Sequence, residues 1–326
     1  MKTIRWGILG TGMIAKKFAD GLSVLEDAEL IAVGSRTVTT AVAFAEAFGI
    51  PQPHGSYEAL AQNPEVDVIY VATPHVFHME NSLTCLENGK AILCEKPFTI
   101  NKNQAQTVFS TAQKNNLFVM EAMWSYFLPA MEMVRKLIHD GIIGDVRMIS
   151  ADFGFRTTLD PESRLFDPAL GGGALLDVGI YPLALAQMIF GAPSHIASLA
   201  HIGTTAVDEQ AGIILGYDNG ELAVLHTAVQ TETPQEAIIM GTEGRIKLHH
   251  PWWVPAKITL SQPGMANQIM DLPYEGNGYN YEATAVMECL REGRTEHPLM
   301  PWSATLALQE TMDTIRSQWG LRYPME

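Results

Sequence analysis

Five apolar runs alternate with helical patterns over the first 122 residues, and no other feature of this chain restricts its possible folds so strongly. The runs "IRWGILG" (4–10), "AELIAVGS" (28–35), "VDVIYVAT" (66–73), "AILCEK" (91–96) and "NLFVMEA" (116–122) scarcely alternate between apolar and polar. They read as strands buried on both faces. Between them "MIAKKFADGLSVL", "VTTAVAFAEAFG", "SYEALAQN", "FHMENSLTCLENG" and "KNQAQTVFSTAQKN" carry helical spacing. Repeated strand and helix predict an α/β fold with a doubly wound parallel sheet, because parallel neighbours need a crossover and a helix supplies it.

After about residue 145 the pattern changes. "DVRMISADFGFRT" alternates, "QAGIILGYDNGELAVLHTAV" reads as two strands around Asn219-Gly220, and "EAIIMGTEGRIKLHH" as two more around Glu243-Gly244. A mostly antiparallel sheet is expected, flanked by helices over "GGALLDVGIYPLALAQMIFG", "YNYEATAVMECLREG" and "SATLALQETMDTIRSQWG". The expected division is a dinucleotide-binding domain over 1–122 and a substrate and oligomerisation domain over 123–326, which suits a chain of 326 residues.

A net charge of −15 repels a phosphate backbone, so nucleic-acid binding through a basic surface is not expected. Any anionic ligand must meet a local basic group. Cys85, Cys94 and Cys289 stand apart, with no CxxC pair and no Cys/His cluster at metal-ligand spacing, so neither a metal site nor a disulfide framework is expected. Gly7, Gly10 and Gly12 interrupt the first apolar run before a signal-peptide core forms. The expectation is a cytoplasmic protein with no membrane partner.

The first strand runs into "GTGMIA", giving Gly10-x-Gly12-x-x-Ala15 at a strand-to-helix turn. Glycine permits the tight turn and the close approach of a pyrophosphate to the helix N-terminus, so Gly10, Thr11, Gly12, Met13 and Ile14 are the candidate cradle. The second strand ends in Ser35 and Arg36 where an NAD site would carry an acidic residue. A hydroxyl and a guanidinium can hold a 2′-phosphate, so NADP is favoured over NAD. Thr73, Pro74 and His75 end the third strand at the sheet edge where open α/β folds bind ligands, with His78 open to a cofactor, catalytic or packing role. The fourth ends in Glu95, Lys96 and Pro97; the proline restricts Lys96, which can reach the nicotinamide end of a cofactor or snorkel at the surface. In "LLDVGIYPL", Asp177 and Tyr181 are four apart and share a helical face, although Pro182 disturbs a regular helix. A carboxylate in so apolar a segment needs a partner. Trp124, Phe127, Phe153, Phe155 and Arg156 are candidate walls of a substrate site, and "PWWVPA" and "EGNGYNYEA" candidate loops.

Taken together and in order, the GxGxxA turn, "ATP" followed by His78, "EKP" and "GGGALLDVGIYPL" resemble the Gfo/Idh/MocA oxidoreductases over nearly the whole chain. "EAMWSYFLPA" and "RLFDPALGGGALLDVGIYPL" are most similar to the branch of dimeric dihydrodiol dehydrogenases and NADP-dependent D-xylose dehydrogenases. The resemblance implies a Rossmann domain followed by an α/β domain whose open sheet mediates a homodimer or homotetramer. It implies that Lys96 lies beside the nicotinamide and that Asp177 and Tyr181 face it. Many relatives carry His where this chain has Tyr181, which weakens transfer from inositol dehydrogenases.

A free tyrosine titrates near 10, so Tyr181 serves as general acid/base only if a cation favours its phenolate; Lys96 is the expected cation, polarising the substrate oxygen as well. Asp177 is expected to orient the polyol. The alternative makes Lys96 the proton carrier. The expected activity is hydride transfer between NADP and a small cyclic polyol, an aldose at C1 or a trans-dihydrodiol. Two other readings compete: an NAD-dependent glycosidase on the same fold, disfavoured by Arg36, and a nonenzymatic NADP(H) sensor, disfavoured by the joint presence of Lys96, Asp177 and Tyr181.

Overall fold

The computed structural model describes residues 2–326. Its first sheet contains β1 (Ile4–Leu9), β2 (Ala28–Gly34), β3 (Gln52–His54), β4 (Val68–Val71), β5 (Ala91–Glu95) and β6 (Val119–Ala122), in the order β3-β2-β1-β4-β5-β6. Every pairing in it is parallel. The order reverses between β1 and β4, and the carboxyl ends of those strands flank the place where this topology binds ligands.

Burial explains the uninterrupted apolar runs. All residues of β4 and β5 are buried, and Leu9, Ile69, Val71, Ile92, Phe98, Phe109 and Val119 belong to one core cluster. Each such aliphatic or aromatic side chain contributes about 1.5–3 kcal/mol on burial. Truncating Ile69 to alanine in so closed a site costs about 2–5 kcal/mol. The helices begin where the sequence offers caps: Thr37, Ser56 and Asn101 accept from the backbone N–H three residues on.

The second sheet contains β7 (Val146–Gly154), β8 (His195–Ile202), β9 (Asp208–Gly216), β10 (Leu222–Ala228), β11 (Ala237–Gly241), β12 (Arg245–Leu248), β13 (Lys257–Ser261) and β14 (Gln268–Asp271). Their order is β14-β13-β12-β11-β7-β10-β9-β8, antiparallel except where β7 meets β10. Both expected hairpins form, β9 with β10 and β11 with β12. On β9 and β10 alternate residues are buried, and Ile214, Leu222 and Val224 lie on the exposed face. The helix Ile180–Phe190 packs against β7 and β10. Pro168–Phe190 has the length and hydropathy to cross a membrane, yet 72% of its apolar window is buried, which makes it a core helix.

Two compact units emerge. One comprises Met1–Phe127 with Glu275–Leu306, the other Leu128–Tyr274 with Ala307–Glu326. The boundary after Phe127 lies a few residues past the expected position, and the chain's return to the first unit differs from a simple two-segment division. The return is held by contacts that local pattern does not reveal: Trp302 Nε1 donates to the Val119 carbonyl at 3.0 Å, and Thr305 Oγ1 to Glu121 at 3.0 Å. The strands β3, β8, β13 and β14 were not expected. β3 is three residues long and contains Pro53, a composition that reads as a turn and is tolerated only at a sheet edge.

Candidate active site

In the first unit the turn after β1 has the shape that a dinucleotide requires. Gly10 has φ +111°, and a Cβ there would stand 2.8 Å from the Ala72 carbonyl oxygen. Only glycine fits. Gly12 differs: its φ is −74°, and no atom lies within 4 Å of the position a Cβ would take. The protein itself does not need glycine at that point, whereas a pyrophosphate approaching the N-terminus of the helix Met13–Leu22 does. Ala15 is fully buried between helix and sheet, Met13 is exposed, and Thr11 and Ile14 are half-buried.

At the end of β2 the side chains form a hydroxyl cluster. Ser35 Oγ lies 2.6 Å from Thr40 Oγ1 and 3.4 Å from Thr11 Oγ1, and Thr37 Oγ1 lies 2.8 Å from Thr40 Oγ1. Arg36 is exposed beside it. Burial pushes the Tyr57 phenol above its ordinary range while the Arg36 guanidinium draws it back, which places the guanidinium within electrostatic reach of that ring.

The ends of β4 and β5 converge. Thr73 and His75 are buried and Pro74 is exposed. His78 is 1% exposed; its Nδ1 lies 2.9 Å from the Pro97 carbonyl and its Nε2 2.8 Å from the Thr73 carbonyl. His78 thus sits between the turns after β4 and β5; in its neutral form its one ring N–H donates to one of the two carbonyls. Burial lowers its pKa although both carbonyls oppose that. Lys96 is half-buried, its peptide bond to Pro97 is cis, and its backbone N–H donates to Glu95 Oε2 at 3.2 Å. Glu95 is buried and accepts a short bond from the Tyr70 hydroxyl, which anchors the strand end that carries Lys96. Burial raises Glu95, and it pushes the nearby Glu121 up to about 7. Trp124 stacks on Tyr279, ring centroids 4.5 Å apart, and Phe127 meets His297 edge to face at 5.2 Å.

In the second unit Asp177 and Tyr181 are both buried, and both lie within electrostatic reach of Arg164. Leu175–Gly179 forms a π-helical turn that leads into the helix Ile180–Phe190. Pro182 has no N–H to offer the Val178 carbonyl four residues back, and a widened turn accommodates that loss. The partner that Asp177 requires is Arg164, whose Nη1 lies 2.6 Å from Oδ1. Burial disfavours the Arg164 charge, but Asp177 and Tyr181 outweigh it and hold the guanidinium above the ordinary arginine range. Arg164 is therefore close enough to favour a Tyr181 phenolate, which sequence reasoning missed; the need of Asp177 for a counter-ion was the available signal.

An aromatic wall stands beside Tyr181. Phe153 stacks on Trp253 with centroids 3.4 Å apart, and the Tyr181 ring lies 5.5 Å from Phe153. The Asp152 carboxylate accepts from the Gln235 backbone N–H at 2.7 Å, and its carbonyl accepts from Trp252 Nε1 at 2.5 Å, which positions the loop carrying Trp253. Arg156 is exposed, its backbone bridged to Gln230, and Phe155 is half-buried near Phe153. Among the described residues no group of acidic, His and Cys side chains is arranged to hold a metal ion.

Residues 4–123 match an oxidoreductase family described by its NAD-binding Rossmann fold, and residues 131–247 match the GFO/IDH/MocA C-terminal domain. The trans-1,2-dihydrobenzene-1,2-diol dehydrogenase of Xenopus tropicalis is 37% identical over 332 aligned residues, covering 98% of this chain and 99% of the relative. The enzyme of that name from Homo sapiens is 34% identical over 332 residues, 99% of each chain. Among solved structures, a 3-ketoreductase from Actinomadura kijaniata in complex with NADP and TDP-benzene superposes with a TM-score of 0.87 at 26% identity, over 97% of this chain and 98% of that one.

Proposed function

The chain belongs to the Gfo/Idh/MocA oxidoreductase family, and we propose that it is an NADP-dependent dehydrogenase of a small cyclic polyol, either a trans-dihydrodiol or an aldose at C1. The observation that carries the NADP preference is the end of β2, where Arg36 stands beside the hydroxyls of Ser35, Thr37 and Thr40 in place of an acidic residue. A 2′-phosphate accepts hydrogen bonds from such groups, and a carboxylate would repel it. The substrate class is supported by the relatives' activity as named and by the Phe153–Trp253 stack, a flat apolar surface suited to the C–H face of a ring.

Oxidation of a secondary alcohol removes a proton from oxygen and a hydride from carbon, and the bound nicotinamide accepts the hydride. Tyr181 takes the proton. Arg164 supplies positive charge that favours its phenolate, and Lys96 is assigned to polarise the substrate oxygen. Asp177 fixes Arg164 and is assigned to orient a substrate hydroxyl. The second assignment, with Lys96 as proton carrier, is separated by two variants. Tyr181→Phe abolishes turnover if Tyr181 carries the proton and leaves most of it if Lys96 does; a silent Lys96→Met removes Lys96 from the chemistry.

We further propose a homodimer formed through the exposed face of the second sheet, which carries Leu199, Ile214, Leu222 and Val224, and a cytoplasmic location in keeping with three buried free thiols. The test of the main reading is a matrix of initial rates, NADP and NAD against a trans-dihydrodiol, D-xylose and an inositol. A kcat/KM at least about tenfold higher with NADP is expected, and a preference for NAD overturns the assignment of Arg36.

A further inference from the structure

We propose that Asp208 is a positioning residue: its buried carboxylate caps the helical segment that bears Asp177 and Tyr181 and thereby sets where those two side chains stand. The catalytic consequence rests on the roles proposed above for Asp177 and Tyr181.

Asp208 opens β9 and is fully buried. Its Oδ2 accepts from the backbone N–H of Leu175 at 2.7 Å, and Leu175 is the first residue of the π-helical turn, two positions before Asp177. The first N–H groups of a helix have no partner within it, and a carboxylate there satisfies a donor and opposes the helix dipole. The other oxygen, Oδ1, is buried with no hydrogen-bond partner. A Cβ at Gly173 would stand 2.1 Å from that Oδ1, and Gly173 has φ +122°. Gly173 of "GGGALLD" is thus shaped around the carboxylate. The next strand pins the same turn, since Thr227 Oγ1 donates to the Ala174 carbonyl at 3.5 Å.

Two further ionisable groups face this site. Arg316 is committed to Asp313 and Glu326, at 2.7 Å each, and reaches Asp208 only through space. The Tyr323 hydroxyl donates to the Gly172 carbonyl at 2.7 Å, its ring lies under the Arg316 guanidinium, and its pKa is held well above the ordinary range by burial and then by Asp208. With no close counter-ion, burial pushes Asp208 up to about 7 even against the backbone N–H groups of Leu175, Ala174 and Asp208 itself and the more distant Arg316. The cap therefore changes charge near neutrality, whereas a neutral side chain of the same shape would not.

Two variants test this. Asp208→Asn keeps the shape and an acceptor without the charge, and Asp208→Ala removes both. In Asp208→Ala, amide exchange over residues 174–181 is expected to quicken and kcat to fall about tenfold or more, with the KM for NADP within about twofold of wild type. Wild-type exchange over 174–181 in a folded Asp208→Ala protein overturns the proposal, as does quickened exchange with unchanged kcat. Should Asp208→Ala fail to fold, exchange at Leu175 in wild type is expected to change between about pH 6 and about pH 8, and in Asp208→Asn to lose that change beyond the intrinsic pH dependence of exchange. An identical dependence in both proteins overturns it. Exchange needs no substrate, so a wild type that oxidises no polyol refutes the functional reading while exchange still decides the cap.

Discussion

Gly12→Ala separates a glycine kept for a ligand from one kept for the fold, and Gly10→Ala is its control. At Gly12 the backbone lies at φ −74° and ψ −175°, open to any residue, and a methyl would meet no protein atom within 4 Å. The loss of stability is limited to the poorer N-cap, about 1 kcal/mol or less, which lowers the melting temperature by about 2–4 °C. Cofactor binding is affected far more, because the methyl occupies the space through which the pyrophosphate reaches the helix N-terminus. A hundredfold weaker Kd is expected, about 2.8 kcal/mol. The assay is thermal unfolding with and without NADP at about one hundred times the wild-type Kd. Wild type gains about 2.7 kcal/mol from the ligand, and Gly12→Ala only about 0.4. Gly10→Ala reverses the pattern in the free protein. Its left-handed backbone costs about 1–2 kcal/mol and the Ala72 carbonyl at 2.8 Å forces a further shift, so the apo protein melts several degrees lower. A Gly12→Ala protein with the full NADP-induced shift would refute the reasoning.

Removing the Arg164 charge in Arg164→Met takes away the Asp177 ion pair and the cation near Tyr181; kcat for oxidation is expected to fall about tenfold and the acidic limb of its pH profile, which reports the base, to move to higher pH, read from rates across pH. Burial raises the carboxyls of Glu95, Glu121, Asp208 and Glu282, with Glu121 and Asp208 near 7. Between about pH 4 and about pH 7 Glu121 and Asp208 hold more protons in the folded than in the unfolded state, so these two make stability fall as pH rises through that window and level off above it. Urea unfolding of Glu121→Gln across that range should show a shallower decline than wild type. Leu199 is 83% exposed on the open sheet, and Leu199→Asp should raise the monomer fraction in light scattering without altering secondary structure.

Where periodicity is strong and local, the fold could be read from the chain. β1, β4 and β5 are continuous apolar runs because helices cover both faces of their sheet, and the Asn219-Gly220 and Glu243-Gly244 turns marked their hairpins. β3 escaped because three residues with a proline carry no period. The site divided along the same line. Gly10, Gly12, Lys96, Asp177 and Tyr181 sit at short motif spacings, whereas the pairing of Arg164 with Asp177 spans thirteen residues, beyond any local spacing rule. Asp208 lies thirty-three residues from the helix it caps, and no local spacing announces such a bond. His78 was legible as a residue of interest, but its tie to Pro97 exists only once β4 and β5 are neighbours.

The central claim is net hydride transfer from a polyol to NADP with Tyr181 taking the proton. Its most direct test is the reduced-nicotinamide absorbance after mixing the protein with NADP and trans-1,2-dihydrobenzene-1,2-diol. The account predicts a steady rise for wild type and a rate at least about a hundredfold lower for Tyr181→Phe. No rise with this diol, D-xylose or an inositol, or turnover of a glycoside without net reduction of the cofactor, would contradict it.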